Sequence, residues 1–281
     1  MIRPSKAFKG RILVLSAATL WSLGGVLIKS IHFPPQTIAC YRTIFASLFL
    51  FLLRGCGFGR PTWMYLLAAI IYCLQGLLFI AATKATSAAN AIILQYTAPM
   101  YTFVLAYLFL GEAIKGRSLC SLAIGMTGIA VIFFGGWKGG DLLGVALALI
   151  SGFFFSALTV IFRHMRDKDP FAITFFNNLF TGLILLPISP KVPLGSELLV
   201  LLFMGVVQVA MPYILFTKGL QFIQAQEAGI LSLVEPILNP IWVALVIGEI
   251  PSHFTIVGGS LIALAVAMGY IPFRVLTRSL Q

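Results

Sequence analysis

Residues 87–112 read SAANAIILQYTAPMYTFVLAYLFLGE, and residues 224–249 read QAQEAGILSLVEPILNPIWVALVIGE. At a constant offset of 137 and without a gap, 8 of the 26 aligned positions are identical, from Ala88 with Ala225 to Glu112 with Glu249. About two or three identities are expected by chance between segments of such apolar composition, on a simple count of matches. The chain therefore contains an internal repeat, and we divide it into residues 1–137 and residues 138–281.

The composition indicates a protein of the lipid bilayer. Of the 281 residues, 60% are hydrophobic and only 10% are charged, whereas soluble domains have about 25% charged residues. Long apolar runs recur along the chain between short polar turns, which is typical of an all-α protein that crosses the membrane many times. The net charge of +11 is spread between these runs instead of forming one patch, so it does not indicate a nucleic-acid partner.

The apolar runs predict ten transmembrane helices, each about 17–25 residues long, enough to cross about 30 Å of hydrocarbon. Proline and glycine clusters such as Pro34-Pro35 mark the joints between them. The predicted spans are 12–30, 37–53, 63–83, 87–110, 118–135, 142–163, 171–188, 198–217, 227–247 and 254–272.

The basic residues predict the orientation of these spans. If both termini lie in the cytoplasm, fourteen of the 19 Lys and Arg residues fall inside, and Arg42 falls within a span. The outside then receives only Lys29, Lys84, Lys138 and Lys191. This distribution follows the positive-inside rule, so we expect a multi-pass protein of a bacterial-type inner membrane with both termini in the cytoplasm.

Five spans in each half make the predicted repeat an inverted one. An odd number of spans brings the second half into the membrane from the opposite side, so that Glu112 falls inside and Glu249 outside. Inverted repeats are typical of secondary transporters, whose substrate site lies near the bilayer midplane between the two halves. We therefore expect a central site at this interface.

The repeated spans carry a polar face in both halves. In the second copy, Ser232, Glu235 and Asn239 lie three and four residues apart and share one face of a helix. Gln95 and Thr102 occupy the positions of Ser232 and Asn239 in the first copy. Polar side chains are unfavourable against lipid, so this face is predicted to line a substrate-binding cavity.

Glu235 is the strongest single candidate for a functional residue. Insertion of a charged side chain at the middle of a membrane helix is unfavourable by roughly 2.5–3.5 kcal/mol. Its repeat partner is Ala98, so the repeated scaffold does not require an acid there. We expect a functional carboxylate that senses an ion or binds a substrate ammonium. The alternative is a protonated or Arg-paired carboxylate that only locks helices together.

Prolines follow at equivalent points of the two copies, at Pro99 and Pro236, and Pro240 adds a predicted second break. A proline removes a backbone donor and frees a carbonyl, which a polar cavity can use. We hold two interpretations open for these three residues, a hinge for gating and a kink that only shapes packing.

Aromatic and amide side chains in mid-span complete the predicted pocket. Trp21 is placed away from the interfacial position usual for tryptophan, and Gln75 and Tyr96 lie at a similar depth in their spans. Gln208 and Tyr213 are further candidates in the eighth predicted span. For each residue alone, a helix–helix contact is the alternative to substrate binding.

Three other charged residues, Arg42, Glu112 and Glu249, are expected to lie at the membrane boundary. Arg42 lies near the outer end of its span, and we expect it to reach the headgroups, with attraction of an anionic substrate as the alternative. Glu112 and Glu249 end the repeated spans and are expected to pair with loop Lys or Arg residues.

Enzyme signatures are missing from the sequence. His32, His164 and His253 lie far apart, and there is no HExxH, GxSxG or P-loop pattern. The four cysteines form no CxxC. We therefore predict no catalytic residues, no metal site and no cofactor.

Three stretches carry a family resemblance: ATLWSLGGVLIK (18–29), CYRTIFASLFL (40–50), and the repeated block in its two copies. On these the chain resembles the drug/metabolite transporter superfamily, in its EamA-type ten-helix branch. The resemblance implies two inverted five-helix repeats and a central cavity lined mainly by spans 1, 3, 4, 6, 8 and 9. It also implies export or exchange of small metabolites, often amino acids or related compounds.

These observations lead to the hypothesis of a secondary transporter that works by alternating access, with spans 4 and 9 as the moving seam. Glu235 raises the alternative of proton coupling. The rival within the class is a passive facilitator of another solute, such as a nucleoside, a cofactor or a cationic drug. The rivals outside it are a membrane-embedded enzyme and an interaction subunit. The oligomeric state is not readable from the sequence.

Overall fold

The computed structural model describes residues 5–86, 88–136, 142–189, 192–247 and 253–270. These ranges are helical and contain no β-strand. Lys138, Lys191 and Glu249, which the sequence analysis used, lie outside them. The helices are α1 (Lys6–Trp21), α2 (Gly24–Lys29), α3 (Pro35–Arg54), α4 (Trp63–Ala85), α5 (Ala88–Gln95), α6 (Ala98–Leu110), α7 (Gly116–Gly136), α8 (Leu142–His164), α9 (Pro170–Leu185), α10 (Ser196–Phe203), α11 (Met211–Leu220), α12 (Ala225–Ser232), α13 (Val234–Ile247) and α14 (His253–Tyr270).

Eight helical segments of the described ranges are long and apolar enough to cross a membrane. They correspond to the first eight predicted spans, so a polytopic membrane protein is confirmed. The ninth predicted span corresponds to two helices, α12 and α13. The tenth falls on α14, whose apolar stretch is Ile256–Met268. The first helix begins at Lys6 rather than at residue 12, because the Ser5 side chain accepts a hydrogen bond from the Phe8 amide and caps it.

Three of the predicted spans are interrupted near their centres. The first is broken at Ser22-Leu23, the fourth at Tyr96-Thr97 and the ninth at Leu233. In the eighth, a π-helical turn over Met204–Ala210 joins α10 to α11. Broken helices leave polar backbone groups inside the membrane, which is tolerated only where protein or a cavity satisfies them.

The helices pack in pairs that join the two halves of the chain. Helix α1 packs on α11, and α4 packs on α8. Further cross-half pairs include α3 with α9, α7 with α14, and α6 with both α8 and α12. Most of the buried apolar residues form two adjoining clusters, and both clusters include residues from each half. Neither half therefore buries its apolar surface alone.

Candidate functional site

A small cavity lies where the broken helices meet the π-helical turn. It is about 30 Å³ in volume, roughly the share of one water molecule in liquid water. Its lining combines one cation, one carboxyl group, three amides and a set of aromatic rings. The lining residues are Trp21, Arg42, Gln75, Phe79, Gln95, Tyr96, Phe155, Gln208, Val209, Tyr213 and Glu235.

Glu235 brings its carboxyl group to this cavity from the first turn of α13. The residue is only 6% exposed, and its Oε2 accepts a hydrogen bond of 2.5 Å from the Tyr96 hydroxyl. No ion pair within 4.0 Å joins it to a cationic side chain of the described ranges. A buried carboxylate without a cation is unfavourable, so this group either holds a proton or receives a cationic ligand.

A hydroxyl on α8 joins the side-chain amide of Gln95 to the main chain of α4. Gln95 Nε2 donates to Ser151 Oγ at 2.8 Å, and that hydroxyl in turn donates to the Gln75 carbonyl oxygen at 3.0 Å. The Tyr213 hydroxyl lies 3.4 Å from Gln75 Oε1. Ser151 thus fixes α4, α5 and α8 around one wall of the cavity.

Trp21 forms an aromatic wall with three other rings. Its ring centroid lies 4.9 Å from Tyr213, 5.0 Å from Phe216 and 5.7 Å from Phe155. These tilted and edge-on arrangements are favourable for aromatic side chains. The indole Nε1 is buried and has no hydrogen-bond partner in the described part of the chain. It is therefore a free donor at the cavity.

Of the eight predicted substrate-binding residues, five line the cavity: Trp21, Gln75, Gln95, Tyr96 and Glu235. The other three are buried in helix contacts in this conformation. Thr102 Oγ1 donates to the Ala98 carbonyl and approaches Ser156 Oγ, and Ser232 Oγ donates to the Ala228 carbonyl of its own helix. Asn239 Nδ2 donates to the Ser22 carbonyl, 3.0 Å away. The helix is interrupted at Leu233, so the polar face predicted from a continuous helix is divided between α12 and α13.

The prolines mark two of the helix breaks. Pro99 and Pro236 lie in the first turns of α6 and α13, where a missing backbone donor is tolerated. The predicted break at Pro240 is not observed, because α13 continues to Ile247. The side chain of Pro240 lies outside the described part of the structure. One lost hydrogen bond is tolerated in a membrane helix where neighbouring groups satisfy the freed carbonyl.

Arg42 lies in the cavity wall and not at the headgroups. It is 5% exposed, and it lines the cavity together with Gln208 of the π-helical turn. The expectation that it snorkels is wrong, because α3 packs on both α9 and the π-helical turn. Its face is therefore turned into the protein. The alternative interpretation, attraction of an anionic substrate, is compatible with this position.

Sequence reasoning did not identify Phe79, Phe155 and Val209 as lining residues. Phenylalanine and valine carry no signal of their own in an apolar span, because the same residues fill the core and face lipid. Gln208 and Tyr213 were candidates by their polarity, and both line the cavity.

A cluster of polar contacts, which we call the inner clasp, joins Glu112, Arg163, Leu220, Ala225 and Gln226. Arg163 Nε donates to Glu112 Oε1 and the Ala225 amide donates to Oε2, both at 2.9 Å. Arg163 also donates to the Leu220 carbonyl, and Gln226 Nε2 to the Glu112 carbonyl. Glu112 thus pairs with a basic residue as predicted, although its partner belongs to the last turn of α8 and not to a loop.

Comparisons with known proteins cover almost the whole chain. The sequence profile of the EamA-like transporter family matches residues 8–134 and 142–271. A protein of Archaeoglobus fulgidus described as an uncharacterized transporter is 27% identical over 265 residues, 93% of this chain and 96% of that protein. A riboflavin transporter of Rhizobium johnstonii is 26% identical over 228 residues, 76% of this chain and 75% of that protein. A crystal structure that is 20% identical superposes with a TM-score of 0.78 and covers 97% of this chain and 98% of that one, which supports the fold.

Proposed function

The chain belongs to the EamA-like transporter family, and from this premise we propose that it is a secondary transporter that exports or exchanges amino acids or related small metabolites. The observation that carries the substrate class is the Glu235 carboxyl group, which lines the cavity and has the Tyr96 hydroxyl as its one hydrogen-bond partner in the described part of the chain. An ammonium group is the natural ligand of such a carboxylate. Coupling to protons is the second role that this group supports.

Alternating access is part of the proposal, and the small cavity supports it. A volume of about 30 Å³ excludes a metabolite, so helices must separate before a substrate enters. The inner clasp lies at one end of the bundle. At the other end, Lys29 and Lys84 donate to the carbonyls of Thr86 and Ile31, and Glu197 accepts from the His32 amide.

The proposed moving seam lies between the repeated helices. Helices α6 and α12 pack on each other, and a methyl group placed on Gly229 would lie 3.6 Å from the Cα atom of Pro99. We propose that Pro99 and Pro236 act as hinges at the two ends of this seam, with Pro240 as a further gating position. Thr102, Ser232 and Asn239 join the substrate-binding surface only when the seam opens.

The proposed inverted repeat is supported by the pairing of the helices. Exchange of the halves 1–137 and 138–281 relates the first predicted span to the sixth and the third to the eighth. Under this exchange the observed pair α1 with α11 becomes the pair α8 with α4, which is also observed. Three further pairs are unchanged by the exchange, because their members replace each other: α3 with α9, α6 with α12, and α7 with α14. We propose ten spans on this basis, with α12–α13 and α14 as the last two, in an inner membrane and with both termini in the cytoplasm.

Counterflow in proteoliposomes tests the function. Vesicles with purified protein are loaded with unlabelled amino acids and exposed to labelled ones, first at matched pH and then across a pH step. Saturable exchange is expected, and Glu235→Gln should reduce it by about tenfold or more, the equivalent of one charge-assisted contact. Glu227→Gln is the matched control, because that carboxylate pairs with Arg11 outside the cavity.

The pH step separates the two roles of Glu235. If exchange is accelerated by the step in the wild type and not in Glu235→Gln, the carboxyl group is the coupling site. If the rate of exchange by the wild type is the same with and without the pH step, the protein is a passive facilitator and Glu235 serves substrate binding alone. Unchanged flux and pH dependence in the variant would contradict the assignment of Glu235.

A flavin-like cofactor is the second candidate substrate. The relative from Rhizobium johnstonii is described as a riboflavin transporter, and the rings of Trp21, Tyr96, Phe155 and Tyr213 line the cavity of this chain. Aromatic rings stack on planar heterocycles. Labelled riboflavin therefore belongs in the counterflow series, and its exchange without exchange of any amino acid would replace our leading substrate class.

A further inference from the structure

Arg42 is a buried cation with almost no hydrogen-bond partner among the residues that the structure describes. The one hydrogen bond of its side chain in the described ranges joins Nη1 to Gln208 Oε1 at 3.5 Å, the outer limit of a hydrogen bond. Its Nε has no partner in the described ranges. None of the ion pairs found in these ranges includes Arg42. A guanidinium group is permanently charged and has five donors, most of which are therefore unused here.

Such an arrangement is unfavourable unless an anion enters it. A buried charge without a partner destabilises a fold by several kcal/mol relative to a paired one. An arginine that only locks helices together is expected to donate hydrogen bonds to backbone carbonyls, since buried polar groups nearly always have a hydrogen-bond partner. Arg42 does not do this, although it is enclosed by α3, α4 and the π-helical turn.

A second free donor lies at the same cavity. Among the lining residues, the buried polar atoms without a partner are Arg42 Nε and Trp21 Nε1, and both are N–H donors. A carboxylate has two oxygens with about four acceptor positions and accepts from a guanidinium in a bidentate manner. The unused donors of the cavity therefore match an oxyanion, and the carboxyl group of Glu235 matches a cation.

We propose that Arg42 is the anion-binding residue of the transport site and that the substrate is a zwitterion, with its carboxylate on Arg42 and its ammonium group directed to Glu235. This inference rests on the proposed function and narrows its substrate class. Uncharged metabolites and simple amines lack the group that Arg42 requires. Trp21 donates its indole N–H to the same carboxylate, and the aromatic wall packs against the substrate side chain.

The first test compares ligands that differ only in the carboxylate. The twenty L-amino acids and their α-carboxamides are added to the detergent-purified protein, and the shift in Tm is measured at several concentrations. At least one amino acid is expected to raise the Tm, with its carboxamide requiring an at least about tenfold higher concentration, the effect of one lost charge-assisted contact. A carboxamide that matches its acid, or the failure of every acid to bind, would overturn the proposal.

Variants then assign the discrimination to Arg42. In Arg42→Gln the carboxamide and the acid should raise the Tm at concentrations that differ by less than about threefold. Arg42→Lys should give an intermediate ratio of these concentrations, because a lysine offers a point charge without the bidentate geometry of a guanidinium. Arg54→Gln is the control, since Arg54 pairs with Asp169 away from the cavity. An unchanged ratio in Arg42→Gln would overturn the assignment.

Arg42→Lys keeps the test decisive if Arg42→Gln does not fold, and Gly76→Ala adds a milder change. A methyl group on Gly76 would lie 3.0 Å from Arg42 Nη2, so the guanidinium must shift by a few tenths of an ångström while it keeps its charge. A smaller ratio between carboxamide and acid is expected, and an unchanged ratio would count against Arg42. Because binding in detergent is measured separately from counterflow, binding of zwitterions without any exchange would refute the transport function alone.

Discussion

At the scale of single residues, the Tyr96 hydroxyl is the contact that orients the Glu235 carboxyl group. Tyr96→Phe removes this donor and leaves the shape of the ring unchanged. A lost hydrogen bond to a buried acid destabilises by about 1–3 kcal/mol, and we expect the exchange rate to fall by about tenfold. Counterflow and the thermal unfolding of the purified variant measure the two effects.

Tyr107→Phe is the matched control for this prediction. Tyr107 lies on α6, is 57% exposed and faces away from the cavity. Loss of its hydroxyl should leave exchange unchanged. Equal exchange in Tyr96→Phe and Tyr107→Phe would show that the hydrogen bond to Glu235 has no role in transport.

The sequence identified polar residues of the cavity better than it placed them. Glu235, Gln95 and Gln75 were identifiable because polar groups are rare in an apolar span. The sequence did not predict whether the Arg42 side chain points to the headgroups or into the protein. A long side chain near the end of a span is favourable both at the headgroups and in a polar cavity. The residues beside Arg42, Gln208 and Gly76, come from other helices, and no local sequence pattern predicts this proximity.

At the scale of elements, the sequence predicted two of the three helix breaks. Pro99 and Pro236 mark the breaks in the repeated spans, because proline disrupts the helix that precedes it. The break at Ser22 has no proline. There the chain is held by another helix, since Asn239 Nδ2 donates to the Ser22 carbonyl and Trp242 Nε1 to the Ser22 hydroxyl. Such contacts appear only after the helices have packed.

Gly152 determines how closely α8 approaches the break in the fourth span. A methyl group at this position would lie 2.6 Å from the Gln95 carbonyl oxygen, so Gly152→Ala must move backbone. Overpacking of this kind destabilises by about 1–3 kcal/mol. We expect a lower Tm in detergent and weaker exchange, because Gln95 lines the cavity.

Gly259→Ala provides the matched control on α14. No atom lies within 4 Å of the methyl group it would add, and alanine is favoured over glycine in a helix by roughly 0.5–1 kcal/mol. This variant should be as stable as the wild type or slightly more stable. A similar loss in both variants would indicate a general sensitivity to helix substitutions and not the close approach at Gly152.

At the scale of the whole molecule, the sequence predicted an internal repeat but not the way in which its halves meet. The proposed repeat at an offset of 137 residues predicts which helices are related. It does not predict the pairs α1 with α11 and α4 with α8, which depend on the side chains at each contact. Only 8 of 26 positions are identical even in the most similar segment. The related pairs are therefore maintained by different residues.

The proposed orientation makes a prediction for a native cysteine. Cys56 is exposed in the connection between α3 and α4, which the basic residues place in the cytoplasm. A membrane-impermeant maleimide should label Cys56 in inside-out vesicles and not in intact cells. Conversely, His32→Cys in a Cys56→Ser background should be labelled only in intact cells, and the reverse pattern would contradict the proposed orientation.

The inner clasp determines which end of the molecule opens under the proposed mechanism. The side chains of Glu112 and Arg163 are only 8% and 12% exposed, and the two carboxylate oxygens satisfy one donor each. Glu112→Gln places an N–H group against one of these donors, so one contact is lost at the end of the bundle that we propose to face the cytoplasm. Asp169→Asn is the control, because the Arg54–Asp169 pair is 42% and 35% exposed and such surface pairs contribute about 0–1 kcal/mol.

Accessibility of the cavity from the cytoplasm measures this effect. Val209→Cys, introduced after the four native cysteines are replaced by serine, places a thiol in the cavity wall. In inside-out vesicles, Glu112→Gln should raise its rate of alkylation by an impermeant maleimide by about tenfold, the equivalent of one charge-assisted hydrogen bond, while Asp169→Asn leaves it unchanged. A faster reaction from the outer side instead would mean that the clasp stabilises the inward-open state, and the proposed gate would then have to be assigned to the contacts of Lys29 and Lys84.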